Sequence, residues 1–311
     1  MGKSVIVIGS GIAGLAASIR LAKKGYIVTV MEANKYPGGK ITELKIGGYR
    51  FDAGPSLFTL PEQITELFDL CNIDPSNLFE YSQLDTTCKY FYPDGTVLNA
   101  FADKIKFIDE VSNKLGEPAK NIVRALRKSA FLYENLSPLF MHKTLHRPST
   151  WISSKAFKSM LKIPKFDFNQ TMNSKNESRF KNQKTVQLFN RYATYNGSDP
   201  YQAPATLNII PHLEFGLGAY FPKKGMHAIT ECLYTLAKKL GVQFQFNTTV
   251  KKIVIHGGKA KGVNTQMGFH KADRVVSNMD MVATYNKLLK GHDRPKRLLS
   301  QPKSSSAIIF Y

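Results

Sequence analysis

Val5, Ile6, Val7 and Ile8 form an unbroken apolar run that stops at Gly9, the pattern of a strand buried on both faces of a parallel sheet. Gly9-Ser10-Gly11-Ile12-Ala13-Gly14 follows as a G-x-G-x-x-G turn. Ile12, Leu15, Ala16, Ile19 and Ala22 then recur at helical spacing until Gly25 ends the helix. A second β-rich run, Tyr26 to Met31, ends in Glu32, 18 residues past Gly14. Strand, glycine turn, helix, strand and carboxylate together make the start of a dinucleotide-binding fold. The glycines admit a pyrophosphate to the backbone, the helix N-terminus offers aligned N–H groups, and Glu32 is suited to a ribose hydroxyl pair. A carboxylate at that place disfavours a 2′-phosphate and so NADP, but it does not separate NAD from FAD.

The chain of 311 residues exceeds what one hydrophobic core usually supports, so two domains, or one with a large insertion, are expected. Forty-three Lys and Arg against 23 Asp and Glu leave a net charge of +20, which calls for an anionic partner: a cofactor, a lipid surface or nucleic acid. Nucleic acid is disfavoured, because no helix-turn-helix, zinc-finger or RNP-like aromatic pattern accompanies the basic stretches. Cys71, Cys88 and Cys232 lie far apart without a C-x-x-C pair, which points to neither zinc nor disulfides and to a reducing, cytoplasmic setting. No segment carries the eighteen or so apolar residues that a spanning helix needs.

Two further glycine clusters follow the second strand: Pro37-Gly38-Gly39-Lys40, and Phe51-Asp52-Ala53-Gly54-Pro55-Ser56 after a Gly47-Gly48 turn. Each marks a place where backbone comes close to something, as a long cofactor with a flat ring requires. From Val5 to Gly39, with Glu32 and Gly38-Gly39-Lys40, the chain resembles the flavin-binding N-terminus of the amine oxidase and phytoene desaturase superfamily. Lys40 stands where that family usually has Arg, keeping the charge and losing the fork. The Phe51 to Ser56 run resembles the stretch that passes near the flavin in bacterial-type carotenoid desaturases. The resemblance implies FAD, held by Gly9, Ser10, Gly11, Ile12, Ala13, Gly14, Glu32, Gly38, Gly39, Lys40, Gly54 and Pro55.

Residues from about 60 to 215 leave the βαβ rhythm. Tyr90-Phe91-Tyr92, a Pro93-Asp94-Gly95 turn and Val97-Leu98 read as a hairpin, with helices expected over Lys104 to Leu115 and Ala119 to Leu136. Between His142 and Lys184 ten Lys and Arg face Asp167 and Glu177. There, Pro148-Ser149-Thr150 opens a stretch in which Trp151, Ile152, Ala156, Phe157, Met160 and Leu161 share a helical face while Lys155, Lys158 and Lys162 stay polar. That is either a solvated face or an amphipathic element lying on an anionic bilayer. The segment Arg191 to Tyr201 resembles a substrate-side stretch of carotenoid desaturases, in particular the 1-hydroxycarotenoid 3,4-desaturases. Arg191, Tyr192 and Tyr195 are the substrate-lining candidates, though core tyrosines would look the same.

The cofactor domain resumes at Tyr220-Phe221-Pro222-Lys223-Lys224-Gly225-Met226, which opens a helix carrying Ile229, Leu233, Leu236, Ala237 and Leu240 on one face. In the family this opening has two adjacent glycines, and Lys224 replaces the first. Strands follow over Val242 to Phe246, Val250 to Ile255 and Arg274 to Ser277, and the resemblance places the backbone near Val250 against the adenine end of FAD. The organisation expected is an α/β fold: a Rossmann-like FAD-binding domain (1–85 and 216–290), an inserted α+β substrate domain (86–215), and 291–311 as the start of a return to it. Because the sequence stops in an apolar, strand-like run at Tyr311, an N-terminal portion of a longer enzyme, or a truncated gene product, is expected.

The resemblance implies an FAD-dependent carotenoid desaturase, acting on phytoene or a 1-hydroxylated carotenoid and placed peripherally on the inner face of the cell membrane. Two alternatives stay open: a flavin amine oxidase-like enzyme, and a membrane-associated, nucleotide-binding fragment without catalysis. His142, His146, His212 and His227 are available as bases, and none is singled out.

Overall fold

A computed structural model describes residues 2–141, 143–144, 146–152, 159, 161–292, 295–301 and 303–304. The described residues divide into two compact units, 2–82 with 220–301, and 83–219 with 303–304.

The first unit opens with β1 (Ser4–Ile8), α1 (Ile12–Lys23) and β2 (Ile27–Met31). Gly25, at φ +82°, ends the helix turn. A hairpin of β3 (Thr42–Ile46) and β4 (Tyr49–Ala53) turns at Gly47 and Gly48, with φ of +56° and +83°, the two positive values that a tight two-residue hairpin demands. Helix α2 (Glu62–Cys71) and the short strand β5 (Tyr81–Gln83) come before the chain leaves this unit.

The second unit starts with the antiparallel pair β6 (Thr86–Phe91) and β7 (Val97–Phe101), then α3 (Lys104–Leu115) and α4 (Ala119–Phe140). Asp103 caps α3 by accepting from the Lys106 amide at 2.8 Å, and Gly116 stops it at φ +65°. Phe107, Val111 and Leu115, one helical face, are buried against Leu98 and Ala100 of β7 and Ile122 and Ala125 of α4. Helix α4 runs past Leu136, the expected end, and carries Pro138 in its last turn, where the ring forgoes the bond to the Glu134 carbonyl and the helix stops two residues later. The single turn α5 (Pro148–Trp151) begins where the Pro-Ser-Thr signal placed a start. Beyond it the expected amphipathic face falls partly on Ala156, Phe157, Met160, Lys155 and Lys158, which lie outside the described residues. Helices α6 (Met172–Arg179), α7 (Gln183–Asn190) and α8 (Pro211–Phe215) complete the unit. Buried Glu117 accepts from the amides of Lys181 and Asn182 at 2.8 and 2.9 Å and so closes the start of α7.

Back in the first unit come β8 (Tyr220–Pro222), α9 (His227–Lys239), β9 (Gln243–Gln245), β10 (Val250–His256), β11 (Lys259–Thr265), β12 (Gly268–Lys271) and β13 (Arg274–Ser277). A parallel sheet is ordered β13-β1-β2-β9. This arrangement explains the unbroken apolar run of β1. Val5 and Val7 pack with Leu15 and Ile19 of α1 and Leu233 and Leu236 of α9. Ile6 and Ile8 point the other way, onto Ile253 and Val263 of the antiparallel sheet β10-β11-β12. With both faces covered, neither can be polar. The first unit is thus a Rossmann-like α/β domain with helices on one face and a β-meander on the other. Among the described residues no helix is long and apolar enough to cross a membrane.

Candidate functional site

In an open parallel sheet, ligands bind beyond the carboxyl ends of the strands. A cavity of about 540 Å³ lies there in the first unit. Gly9 and Ile8 from the end of β1, Met31 and Glu32 from the end of β2, and Asn278 and Met279 after β13 all line it. Of the residues singled out in the sequence, Gly9, Gly11, Ile12, Ala13, Glu32, Gly38, Gly39, Lys40, Pro55 and Val250 face this one space. Ser10 and Gly14 are buried behind its wall, and Gly54 packs against the backbone of Lys40.

The glycines are required by contact between backbones. A Cβ on Gly14 would lie 2.2 Å from the Gly9 carbonyl oxygen, and Gly9 itself sits at φ +92°. Gly38 donates its amide to the Ser10 carbonyl at 3.0 Å, and a Cβ on Gly39 would stand 3.2 Å from the Gly11 Cα. Gly54, at φ +122°, would place a Cβ 2.0 Å from the Lys40 carbonyl oxygen. The three glycine clusters, separate in sequence, therefore converge: the second leans on the first and the third on the second. Each was expected to approach a ligand, and each also approaches another loop.

Gly11 is the N-cap of α1, and no side chain accepts from the first turn. An uncapped helix start facing a cavity presents free N–H groups and the positive end of the dipole, a donor set suited to a diphosphate. The bare backbone there leaves room for one, so the residues fit a dinucleotide.

Glu32 is only 6% exposed. Its Oε2 accepts from both the amide and the hydroxyl of Ser10, each at 2.8 Å, and its Oε1 accepts from the Asn34 amide at 2.9 Å. A carboxylate has about four acceptor positions, so three are taken by the chain and one, on Oε1, is left for a ligand. The carboxylate thus clamps the glycine turn of β1–α1 to the end of β2. That second duty was not legible from its spacing.

The opening of α9 is built around Gly225, at φ +86°, where a Cβ would come within 2.5 Å of both the Arg50 guanidinium and the Asp52 carboxylate. Burial acts to raise the Asp52 carboxyl, yet amides of Met226 and His227 and the Arg50 guanidinium outweigh it and hold the group below its usual range. Lys224 is exposed, so the missing first glycine of this opening is accommodated by a side chain that meets solvent.

The substrate candidates lie in the second unit. Arg191 donates to both oxygens of Glu214, at 3.1 and 3.3 Å, the Tyr192 hydroxyl donates to the same carboxylate at 2.9 Å, and the Tyr195 hydroxyl donates to it as well. Glu214 is wholly buried. The Arg191 guanidinium lies 4.5 Å from the Tyr192 ring centroid. Tyr192 is also wholly buried and presents no surface to a ligand, whereas Tyr195 is 37% exposed and Arg191 lines a second cavity of about 550 Å³. Glu214 escaped sequence reading because a lone Glu near a helix start carries no motif.

Thr248, Thr249, Asn278 and Met279 also line the first cavity without having been singled out as site residues. For Asn278 and Met279 the signal was present, since they directly follow a parallel strand read as Arg274 to Ser277.

The fold and the cavity define a dinucleotide-binding α/β protein. The chain belongs to the flavin containing amine oxidoreductase family, whose pattern matches residues 12–307, and the cofactor is FAD. It is 48% identical over 309 residues to a 1-hydroxycarotenoid 3,4-desaturase of Flavobacterium sp. (strain P99-3), covering 99% of this chain and 63% of that one. A phytoene desaturase of Fusarium fujikuroi is 31% identical over 322 residues, with 99% and 55% covered. The chain therefore spans under two thirds of the length of these curated relatives. An oxidoreductase structure from Methanosarcina mazei shares the fold, with a TM-score of 0.62 at 19% identity over 94% of this chain and 63% of that one.

Proposed function

We propose that the chain is the cofactor-binding part of an FAD-dependent carotenoid desaturase acting on a 1-hydroxylated carotenoid. The observation that carries the substrate is the 48% identity to a 1-hydroxycarotenoid 3,4-desaturase over nearly the whole chain. The flavin, when bound, supplies the hydride acceptance that removal of two hydrogens from a polyene requires. The chain's residues supply binding. The amides at the start of α1, beside Gly9 and Gly11, hold the pyrophosphate, and the free acceptor on Glu32 takes a ribose hydroxyl. Gly38, Gly39, Lys40 and Pro55 border the remainder, with Val250 at the adenine end. In the second unit, Arg191 and Tyr195 face the substrate, and Tyr192 acts from behind by holding Glu214.

The test is direct. After incubation with FAD and desalting, the protein should keep flavin absorbance, and with a 1-hydroxycarotenoid in lipid vesicles it should shift the polyene spectrum to longer wavelength. Loss of all flavin on desalting would refute the cofactor assignment. Retained flavin with an unchanged polyene spectrum would refute the substrate.

A carotenoid is dissolved in lipid, and the second unit carries apolar side chains at its surface among cations. Ile152 is 83% exposed, Leu161 69% and Trp151 39%, in a stretch of sequence that also carries exposed Lys143 and Arg147. Such a face suits the headgroup region of an anionic bilayer, on the inner side of the cell membrane. A Trp151→Ser, Ile152→Ser double variant is expected to lose most sedimentation with phosphatidylglycerol vesicles. Sedimentation equal to the parent's would remove this surface from the reading.

A further inference from the structure

Cofactor phosphates meet the start of α1 through main-chain groups, and the cavity holds one side chain placed to join them. Asn278 follows β13, the neighbour of β1 in the sheet. Its amide donates to the Ile8 carbonyl at 2.9 Å, so its backbone is fixed to the last residue before the glycine turn. The next residue is fixed too, since the Met279 amide donates to the Ser277 hydroxyl at 3.3 Å. Between these two anchors the direction of the Asn278 side chain is set by the sheet.

That direction is across the glycine triplet. A Cβ on Gly9 would lie 3.8 Å from the Asn278 Cβ, one on Gly11 3.0 Å from its Nδ2, and one on Gly14 2.9 Å from the same nitrogen. One carboxamide thus touches the space above all three glycines. Any side chain at Gly11 or Gly14 would push it away, which gives those two positions a second reason to be glycine. The carboxamide lines the 540 Å³ cavity, and among the described residues it has no hydrogen-bond partner. An amide group held beside an uncapped helix start, with its donors unspent, is complementary to a phosphate oxygen.

We propose that Asn278 is a pyrophosphate-binding residue: its Nδ2 donates to a phosphate oxygen of the dinucleotide and extends the main-chain donor set of α1 with a side chain from the neighbouring strand end. The proposal rests on the FAD reading above and adds a specific contact to it. It has a chemical signature, because the contact is made with phosphate and not with the nucleoside. Asparagine suits the position since it is neutral and short. An aspartate of the same shape would replace a donor by a negative charge facing another, in a site partly shielded from water.

The experiment compares three ligands on the 311-residue protein: FAD, ADP and adenosine, with affinities read by flavin fluorescence for the first and by ligand-observed NMR for the other two. Asn278→Asp is expected to weaken FAD and ADP by about tenfold to a hundredfold and to leave adenosine within about twofold. Added salt should narrow the ADP gap, since screening weakens the repulsion. Asn278→Ala, which removes the donor without adding charge, should show the same selectivity with a loss nearer tenfold. This variant carries the test should Asn278→Asp fail to fold. Equal weakening of all three ligands would overturn the proposal, because it would mean a general disturbance of the loop. Unchanged FAD and ADP binding in both variants would also overturn it while leaving the FAD reading intact. A parent protein that binds neither FAD nor ADP would overturn both.

Discussion

Glu32→Ala is expected to bind FAD at least about a hundredfold more weakly than the parent, a loss of about 2.7 kcal/mol, measured by flavin fluorescence titration. Two effects add. The ribose loses the one open acceptor on Oε1. The glycine turn also loses its clamp, because the amide and hydroxyl of Ser10 and the amide of Asn34 all donate to this carboxylate, and a hydrogen bond to a charged group contributes about 1.5–3 kcal/mol. The buried Ser10 amide is left facing a void, so the thermal midpoint should fall as well. Glu32→Gln keeps the volume but has a single carbonyl oxygen to share between Ser10 and Asn34, and its affinity should fall between the other two. An affinity for FAD within twofold of the parent in Glu32→Ala would contradict both roles.

Glu214→Ala is expected to destabilise the second unit by about 3–5 kcal/mol, the range found when one partner of a buried ion pair is removed. Glu214 is wholly buried and takes hydrogen bonds from Arg191, Tyr192 and Tyr195, so its loss strands a guanidinium and two phenols. Burial works against a charged Arg191, but the neighbouring Tyr192 and Glu214 outweigh it and hold the guanidinium protonated. It cannot escape the loss of its partner by neutralising. The double variant Arg191→Met, Glu214→Leu replaces the pair with apolar groups of similar size and should recover most of the stability. Urea unfolding of the parent and the two variants measures this, and a double variant no more stable than Glu214→Ala would show that the tyrosine hydroxyls, and not the stranded charge, set the cost.

The sequence disclosed the first unit far better than the second, for a physical reason. A parallel strand covered on both faces has to be apolar throughout, and a glycine turn into a helix has few substitutes, so Val5 to Gly14 could be read residue by residue. The cavity around it was legible where a residue type is forced, as at Gly9, Gly38 and Glu32. Thr248 and Thr249 have no such compulsion, and they reach the cavity only because the chain between β9 and β10 passes the end of β2, where Thr248 donates its amide to the Glu32 carbonyl at 2.8 Å. In the second unit, helical periodicity placed α3 and most of α4, but the Arg191–Glu214 pair joins residues 23 apart through a fold that no local pattern encodes. By residue type alone Tyr192 and Tyr195 suit a substrate-lining surface and a core equally well. Tyr192 is core, and Tyr195 reaches the surface.

The parallel sheet also sets a clock. Ser4 and Asp273 are joined by hydrogen bonds across a sequence separation of 269 residues, because the strand beside β1 on that side is β13. At a synthesis rate of about 5–20 residues per second, β1 leaves the ribosome roughly 13–54 s before its partner exists, and in that interval one edge of the most apolar strand in the chain stands open. The intervening unit has a shorter wait, because the residues that close it, Leu84 and Ala219, are 135 positions apart. Its own two ends meet, with the Leu84 amide donating to the Ala219 carbonyl at 2.9 Å, so its ends can close on each other as soon as Ala219 emerges, bringing Tyr220 back beside the point of departure. The excursion through residues 83–219 therefore shortens, in space, a search that the order of the strands makes long in time.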